Sequence, residues 1–389
     1  MATTFKTLTN NDVTSTRTLL HESIPITGSI VSGTYNEGDT TSEKNIKNFS
    51  HGLFQSVFDY PHLSSSANHI FDLTVGYSNN SSMSSSANTQ NADKINMYNQ
   101  MAQVLMGHDA TGSIREFDED GDLSAGGTKL KEVFFVNFAR LLNKDEVRKG
   151  SFELEFGITG SGPTAAGDIT ASFDGDNFGQ RVKAADLSGS TSYLVNSPAG
   201  DYGILYATSS TTDGTTYLKN DQVPVGLVFY QTGIAVISGS IFKDSTEGGV
   251  LTSSYGNGLE SATVGLGNPQ TTTAGSTGLD FISGSSISGS TDAIRNRLYN
   301  ISFNNTTELN STIYFCRASH NEFNYSANPT YLNNSKIRVK EVGLDQPISY
   351  VTTVGLYSAN NELLAVAKVS EPLKKTPDTE LTLRVRLDY

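Results

Sequence analysis

At 389 residues the chain is long enough for two or three domains of ordinary size, and its 36% apolar and 17% charged residues leave a large share to Ser, Thr, Asn and Gly. The formal net charge is −13, with 40 acidic residues against 27 basic ones and no long basic run, so no nucleic-acid partner is expected, because phosphate binding needs clustered Lys and Arg. Cys316 is the only cysteine, which excludes an intrachain disulfide and a cysteine-based zinc site, and no apolar run reaches the ~18 residues that suggest a membrane span.

Residues 1–42 are polar and rich in Thr and Ser, with a β-like stretch at Ser23–Thr27, and are expected to form an extended N-terminal arm. No secretory leader is read at Met1–Lys6, so the product is expected in a reducing cytoplasm with no membrane insertion. Residues 43–150 carry helical signals. Ile46, Phe49, Leu53 and Val57 recur at three- and four-residue steps, and Ile95, Tyr98, Ala102 and Leu105 form a second stripe. The clearest helical pattern spans Thr128–Val147, where Leu130, Val133, Phe134, Asn137, Phe138, Leu141 and Leu142 follow i, i+3, i+4, i+7, i+8 spacing.

After Gly150 the period changes to two. Phe152, Leu154, Phe156 and Ile158 alternate with polar residues and Gly157, and a similar period of two appears at Val223, Val225, Leu227 and Phe229. The alternation is plainest at Leu381, Leu383, Val385 and Leu387. Runs at Gly203–Ala207 and Gly233–Ile237 are bounded by turn residues. Residues 151–389 therefore form the expected β-rich domain, with an excursion at 261–292 where 19 of 32 residues are Gly, Ser or Thr. The expected class is α+β and β-rich, with a helical N-terminal part followed by an antiparallel, sandwich-like region.

The chemistry-bearing motifs are sparse. His21, His51, His62, His69, His108 and His320 make no H-x-x-H or H-E-x-x-H pair, and no nucleophile elbow or phosphate-binding glycine loop occurs. Gly126-Gly-Thr-Lys129 resembles a phosphate loop only superficially. The best ligand candidate is Glu116, Asp118, Asp120 and Asp122, followed or interrupted by Gly121, which matches the first half of a calcium loop. Its twelfth position is Gly127, where a bidentate Glu is needed, so no metal is assigned and a solvated acidic turn is the default. Asp174-Gly-Asp176-Asn177 is a weaker case. No catalytic residue and no cofactor is read, and the chain is expected not to be an enzyme.

Three stretches carry a resemblance. They are Phe49–Tyr60 with Leu63–Asp72; Ile95–Leu105 through Gly112–Asp118; and Ile313–Arg317 and Glu322–Ser326 to Ser349–Tyr357, Glu362–Lys368 and the last strand. In these the chain resembles virion structural proteins of contractile-tailed bacteriophages of the T-even type. The Val354-Gly-Leu-Tyr357 and Leu363-Leu-Ala-Val-Ala367 hairpin looks like the C-terminal β module of tail baseplate wedge proteins. The resemblance implies a non-enzymatic virion subunit, in the tail or baseplate, whose partners are other virion proteins and copies of itself. A neck, collar or head-decoration position is the alternative, and a receptor-binding fibre a more remote one, since no stalk or repeat is visible.

Overall fold

Strands account for most of the regular structure, and all of their observed pairings are antiparallel. The computed structural model describes residues 5–22, 26–29, 46–59, 65–123, 126–159, 180–209, 218, 220, 222–243, 248–251, 282, 286–326, 332–333, 336–337, 340 and 342–389. Most of the 261–292 excursion and Asp174–Asn177 lie outside the described residues, as do His62 and much of the 1–42 arm.

In chain order the first strands are β1 (Val13–His21), β2 (Ile26–Ser29), β3 (Ile46–Asn48), β4 (Gln55–Phe58), β5 (His69–Tyr77), β6 (Glu132–Asn137) and β7 (Glu146–Val147). Then come β8 (Glu153–Thr159), β9 (Gln180–Ala185), β10 (Leu194–Ser197), β11 (Gly200–Ser209), β12 (Val223–Phe229), β13 (Ile234–Ser238) and β14 (Leu298–Phe303). The last are β15 (Asn305–Ala318), β16 (Leu332–Asn333), β17 (Lys336–Ile337), β18 (Ser349–Tyr357), β19 (Leu363–Lys375) and β20 (Leu381–Asp388). The helices are α1 (Asn91–Leu105), the single turn α2 (Gly189–Ser192) and α3 (Ile287–Arg297).

The chain divides into two units, His21–Thr307 and a smaller one made of Met1–Leu20 with Glu308–Tyr389. In the larger unit a 12-stranded sheet runs β2-β14-β8-β9-β11-β12-β13-β6-β5-β4-β3, with β10 added to β11. It is strongly curled. Strands β6 and β8 stand five places apart, which in a flat sheet would separate them by about 24 Å at ~4.8 Å per strand. Yet the Phe134 and Phe156 rings meet edge-on with centroids 5.6 Å apart, and both touch Phe242. The curl closes the sheet around the main core, to which α3 adds Ile287 and Ile294.

Both faces of the middle strands are buried. On β6, Phe134 and Val136 belong to the main core, while Val133 and Phe135 point the other way into a second cluster with Tyr98, Ala102 and Leu105 of α1. Helix α1 packs on β5, where Gly76 makes the approach possible: a Cβ there would lie 2.8 Å from the Lys94 carbonyl oxygen and 2.9 Å from the Tyr98 nitrogen.

The helical N-terminal part is not observed. Ile46 and Val57 pair across β3 and β4, and the Thr128–Val147 segment contains β6 with a 3-10 turn at Ala139–Leu141 and β7. A strand buried on both faces reads as a continuous apolar run, and Val133-Phe134-Phe135-Val136 between flanking leucines imitates a helical stripe. Only α1 answers to a helical pattern of this region.

The smaller unit contains β1 to Leu20, β15 from Glu308 onward, and β20, in the sheet order β1-β15-β20, together with the β16–β17 and β18–β19 hairpins. It is held by polar staples. Lys375 is fully buried and donates to His320 O (3.2 Å), Asn324 Oδ1 (2.8 Å) and Thr376 O (2.9 Å), while Lys6 pairs with Glu322 at 2.6 Å and Arg317 with Asp12 at 3.0 Å. Among the described residues Val385 is the only buried apolar side chain of this unit; every other one belongs to the larger unit. Cys316 on β15 is half-buried, and burial raises its thiol above the ordinary range.

Candidate functional site

The acidic segment lies in the larger unit, where the chain doubles back so that Asp118 and Lys129 face each other across an antiparallel bridge. Glu119 N donates to Thr128 O (2.9 Å) and Leu130 N to Phe117 O (2.9 Å), closing the turn. Core tyrosines fix it from beneath. Tyr98 Oη donates to Leu130 O at 2.9 Å and accepts from Phe117 N at 3.2 Å, and Tyr202 Oη donates to Gly121 O at 2.8 Å. Gly121 has φ +74°, a conformation that favours glycine, and its carbonyl is thereby presented to Tyr202.

Asp118, Asp120 and Asp122 come together, with carboxylate oxygens within 4.8 Å of one another. Glu116 does not join them. Its carboxylate accepts hydrogen bonds from Ser78 Oγ and from Asn80 Nδ2, the latter at 3.0 Å. The Asp118 side chain is fully buried and forms an ion pair with Lys129 Nζ. Desolvation raises the Asp118 carboxyl above its ordinary value, Lys129 opposing the shift and Asp120 adding to it. Burial likewise raises Glu119.

These residues do not fit a calcium site. The Lys129 ammonium already supplies positive charge to the one buried carboxylate, and the twelfth position is blocked as well as empty of ligand atoms. Gly127, at φ +76°, lies so close to Asp118 that a Cβ would sit 3.1 Å from Oδ1. A bidentate glutamate there would demand a different turn. A cavity of about 210 Å³ beside the turn is lined by Asp109, Arg115, Glu116, Asp122 and Lys129, among others, and mixes charges of both signs.

A second polar cluster was not legible in the sequence. Asp186, just after β9, is buried and accepts from Tyr230 Oη (2.7 Å), Gly150 N (2.8 Å) and Gly189 N (2.9 Å). Lys149 stands nearby, 2.7 Å from Asp201 and 3.6 Å from Glu146, with its ammonium 4.2 Å from the Tyr193 ring centroid. Burial raises the Asp186 carboxyl against these hydrogen bonds, and burial with the neighbouring carboxylates raises the Tyr230 phenol. Gly203 and Gly189 are required here, since a Cβ at either would collide with Tyr230 Oη. Three donors on Asp186 make the group a structural anchor joining the β7–β8 turn, α2 and the end of β12.

Among the described residues the histidines are dispersed. His69 Nε2 lies 2.7 Å from Asp72, and His51 stacks on Phe49. Asp72 is held below its ordinary value although burial opposes this, because His69 and Ser56 hydrogen-bond to it. Among the described residues the only metal-like grouping is Asp118, Asp120 and Asp122. Comparison with known proteins returns no matching family model, curated protein or solved structure.

Proposed function

We propose that the chain is a non-enzymatic structural subunit of a contractile-tailed phage particle, placed in the tail or baseplate and acting through assembly with other virion proteins. The observation that carries this reading is the smaller unit, whose strands expose apolar side chains and bury only one of them, Val385, among the described residues. A unit of this size ordinarily removes well over half of its surface from water on folding, and its ordering entropy of about 1–2 kcal/mol per residue needs apolar burial to offset it. Polar staples of the Lys375 kind define a shape but supply little of that burial. Such a surface suits a subunit completed by its neighbours.

The resemblance of Ser349–Tyr357, Glu362–Lys368 and the terminal strand to baseplate wedge modules falls on this same unit. The buried carboxylates support a structural role, since Asp118 and Asp186 are each tied to internal donors. Mass spectrometry of gradient-purified particles, with immunogold labelling, tests the reading. Expected is a fixed stoichiometry in the particle and label at the tail; a chain found only in the soluble lysate fraction would overturn it.

A further inference from the structure

We propose that Lys149 and Asp201 join through an isopeptide bond that the folded chain forms within itself, with Glu146 carrying the proton. The inference is independent of any place in a particle and needs no second molecule.

The three residues meet from separate parts of the larger unit. Glu146 lies on β7, Lys149 follows in the β7–β8 turn, and Asp201 stands at the start of β11. Lys149 Nζ is 2.7 Å from Asp201 Oδ2 and 3.6 Å from Glu146 Oε1. The Asp201 carboxyl carbon is one C–O bond beyond that oxygen, so it lies within about 4 Å of the nitrogen. Backbone bonds hold this approach. Val147 N donates to Tyr230 O (3.0 Å) and Tyr230 N donates to Asp201 O (3.1 Å), which ties both strands to one residue. Gly150, next to Lys149, donates its N–H to the buried Asp186 carboxylate at 2.8 Å.

Water is largely kept out. The side chains of Lys149, Glu146 and Asp201 are 14%, 4% and 19% exposed. Two aromatic rings flank the nitrogen, Tyr193 with its centroid 4.2 Å away and Tyr230 at 5.7 Å. Two carboxylates thus share one ammonium where charge is costly, and a neutral amide in place of the ion pair relieves that cost. Condensation of a carboxyl with an amine is unfavourable in water, but groups held in place reach effective molarities of about 10⁵–10⁸ M. The Lys129–Asp118 pair differs, since its neighbour Asp120 is exposed.

The ammonium gives one proton to the Asp201 carboxylate, leaving a neutral amine beside a neutral carboxyl. The nitrogen lone pair attacks the carboxyl carbon, and the C=O pair moves onto oxygen. Glu146 accepts a second proton from nitrogen and delivers it to the hydroxyl, which departs with its C–O pair as water. The oxygen pair re-forms the carbonyl, so the products are an amide, one water and the restored Glu146 carboxylate. No oxidant, reductant or cofactor is consumed. The bond locks the β7–β8 turn to β11.

Intact-mass spectrometry of the denatured full chain, with tryptic peptide mapping, tests the proposal. Expected is a mass one water below that of the sequence, and a branched peptide linking Lys149 to Asp201. K149R keeps a positive charge facing Asp201 but offers no amine, so it should keep the full mass. E146Q should form the link at least about 100-fold more slowly in a refolding time course. Far-ultraviolet circular dichroism of both variants separates loss of the bond from loss of the fold. A folded parent chain at full mass would overturn the proposal. So would a water loss that persists in K149R, or one that maps to a succinimide at an Asp-Gly pair such as Asp120-Gly121. Cross-linking of E146Q at the parent rate would remove Glu146 from the step.

Discussion

Replacing Lys129 with methionine removes the counterion of a carboxylate that has no access to water. The Asp118 side chain is fully buried and that of Lys129 is 16% exposed, so the pair is screened little at one end and slightly at the other. Breaking a buried pair by deleting one partner costs about 3–5 kcal/mol, and the partly wet lysine end places K129M near the lower figure, about 3 kcal/mol. The sign of the pH dependence follows from Asp118, whose folded pKa already lies above its unfolded value. A raised carboxyl favours the folded state at low pH and loses that advantage as pH rises through the folded value. Without Lys129 the folded value climbs further, so the penalty of K129M should shrink between pH 7.5 and pH 5. Urea unfolding followed by far-ultraviolet circular dichroism measures it. In D118N/K129M the charge is gone, and stability should return to within about 1 kcal/mol of the parent chain. A K129M penalty below about 0.5 kcal/mol, or a double variant no better than the single, would refute the reasoning.

Calcium at millimolar concentration should leave the thermal midpoint of the parent chain unmoved, because Lys129 occupies the electrostatic role of the cation; a rise of several degrees would contradict this. G203A should lose about 2 kcal/mol or more in the same unfolding assay, since its Cβ collides with Tyr230 Oη and breaks the bond to Asp186; no loss would mean the anchor is soft. Lys94 is fully buried, and desolvation lowers its pKa to about 8, so the folded state binds fewer protons than the unfolded chain between about pH 8 and pH 10.5. Stability should therefore rise across that window by up to about 3 kcal/mol, and K94M should flatten the rise; identical pH profiles for the two chains would show that the ammonium is solvated.

The C-terminal half of the fold is legible in the sequence because its strands expose one side. Leu381, Leu383, Val385 and Leu387 alternate with Thr382, Arg384, Arg386 and Asp388, and β20 forms there; the Val354–Tyr357 and Leu363–Ala367 runs lie in β18 and β19. The N-terminal half misleads for the opposite reason. In β6 both faces are buried, alternation vanishes, and a dense apolar run acquires helical spacing by chance. The acidic residues Asp118, Asp120 and Asp122 lie together while Glu116 stands apart, and sequence spacing does not reveal that Lys129, eleven positions after Asp118, returns as its counterion. The Gly127 turn was the available clue. Asp186, Tyr230 and Gly203 are joined only by the register of β11 with β9 and β12, which no local pattern encodes.

Cryo-electron microscopy of intact particles at side-chain resolution is the most direct measurement. Expected is this chain in a tail ring, with its smaller unit buried against neighbouring subunits. A particle without the chain, or one in which the smaller unit stands in solvent with nothing against it, would contradict the assembly role.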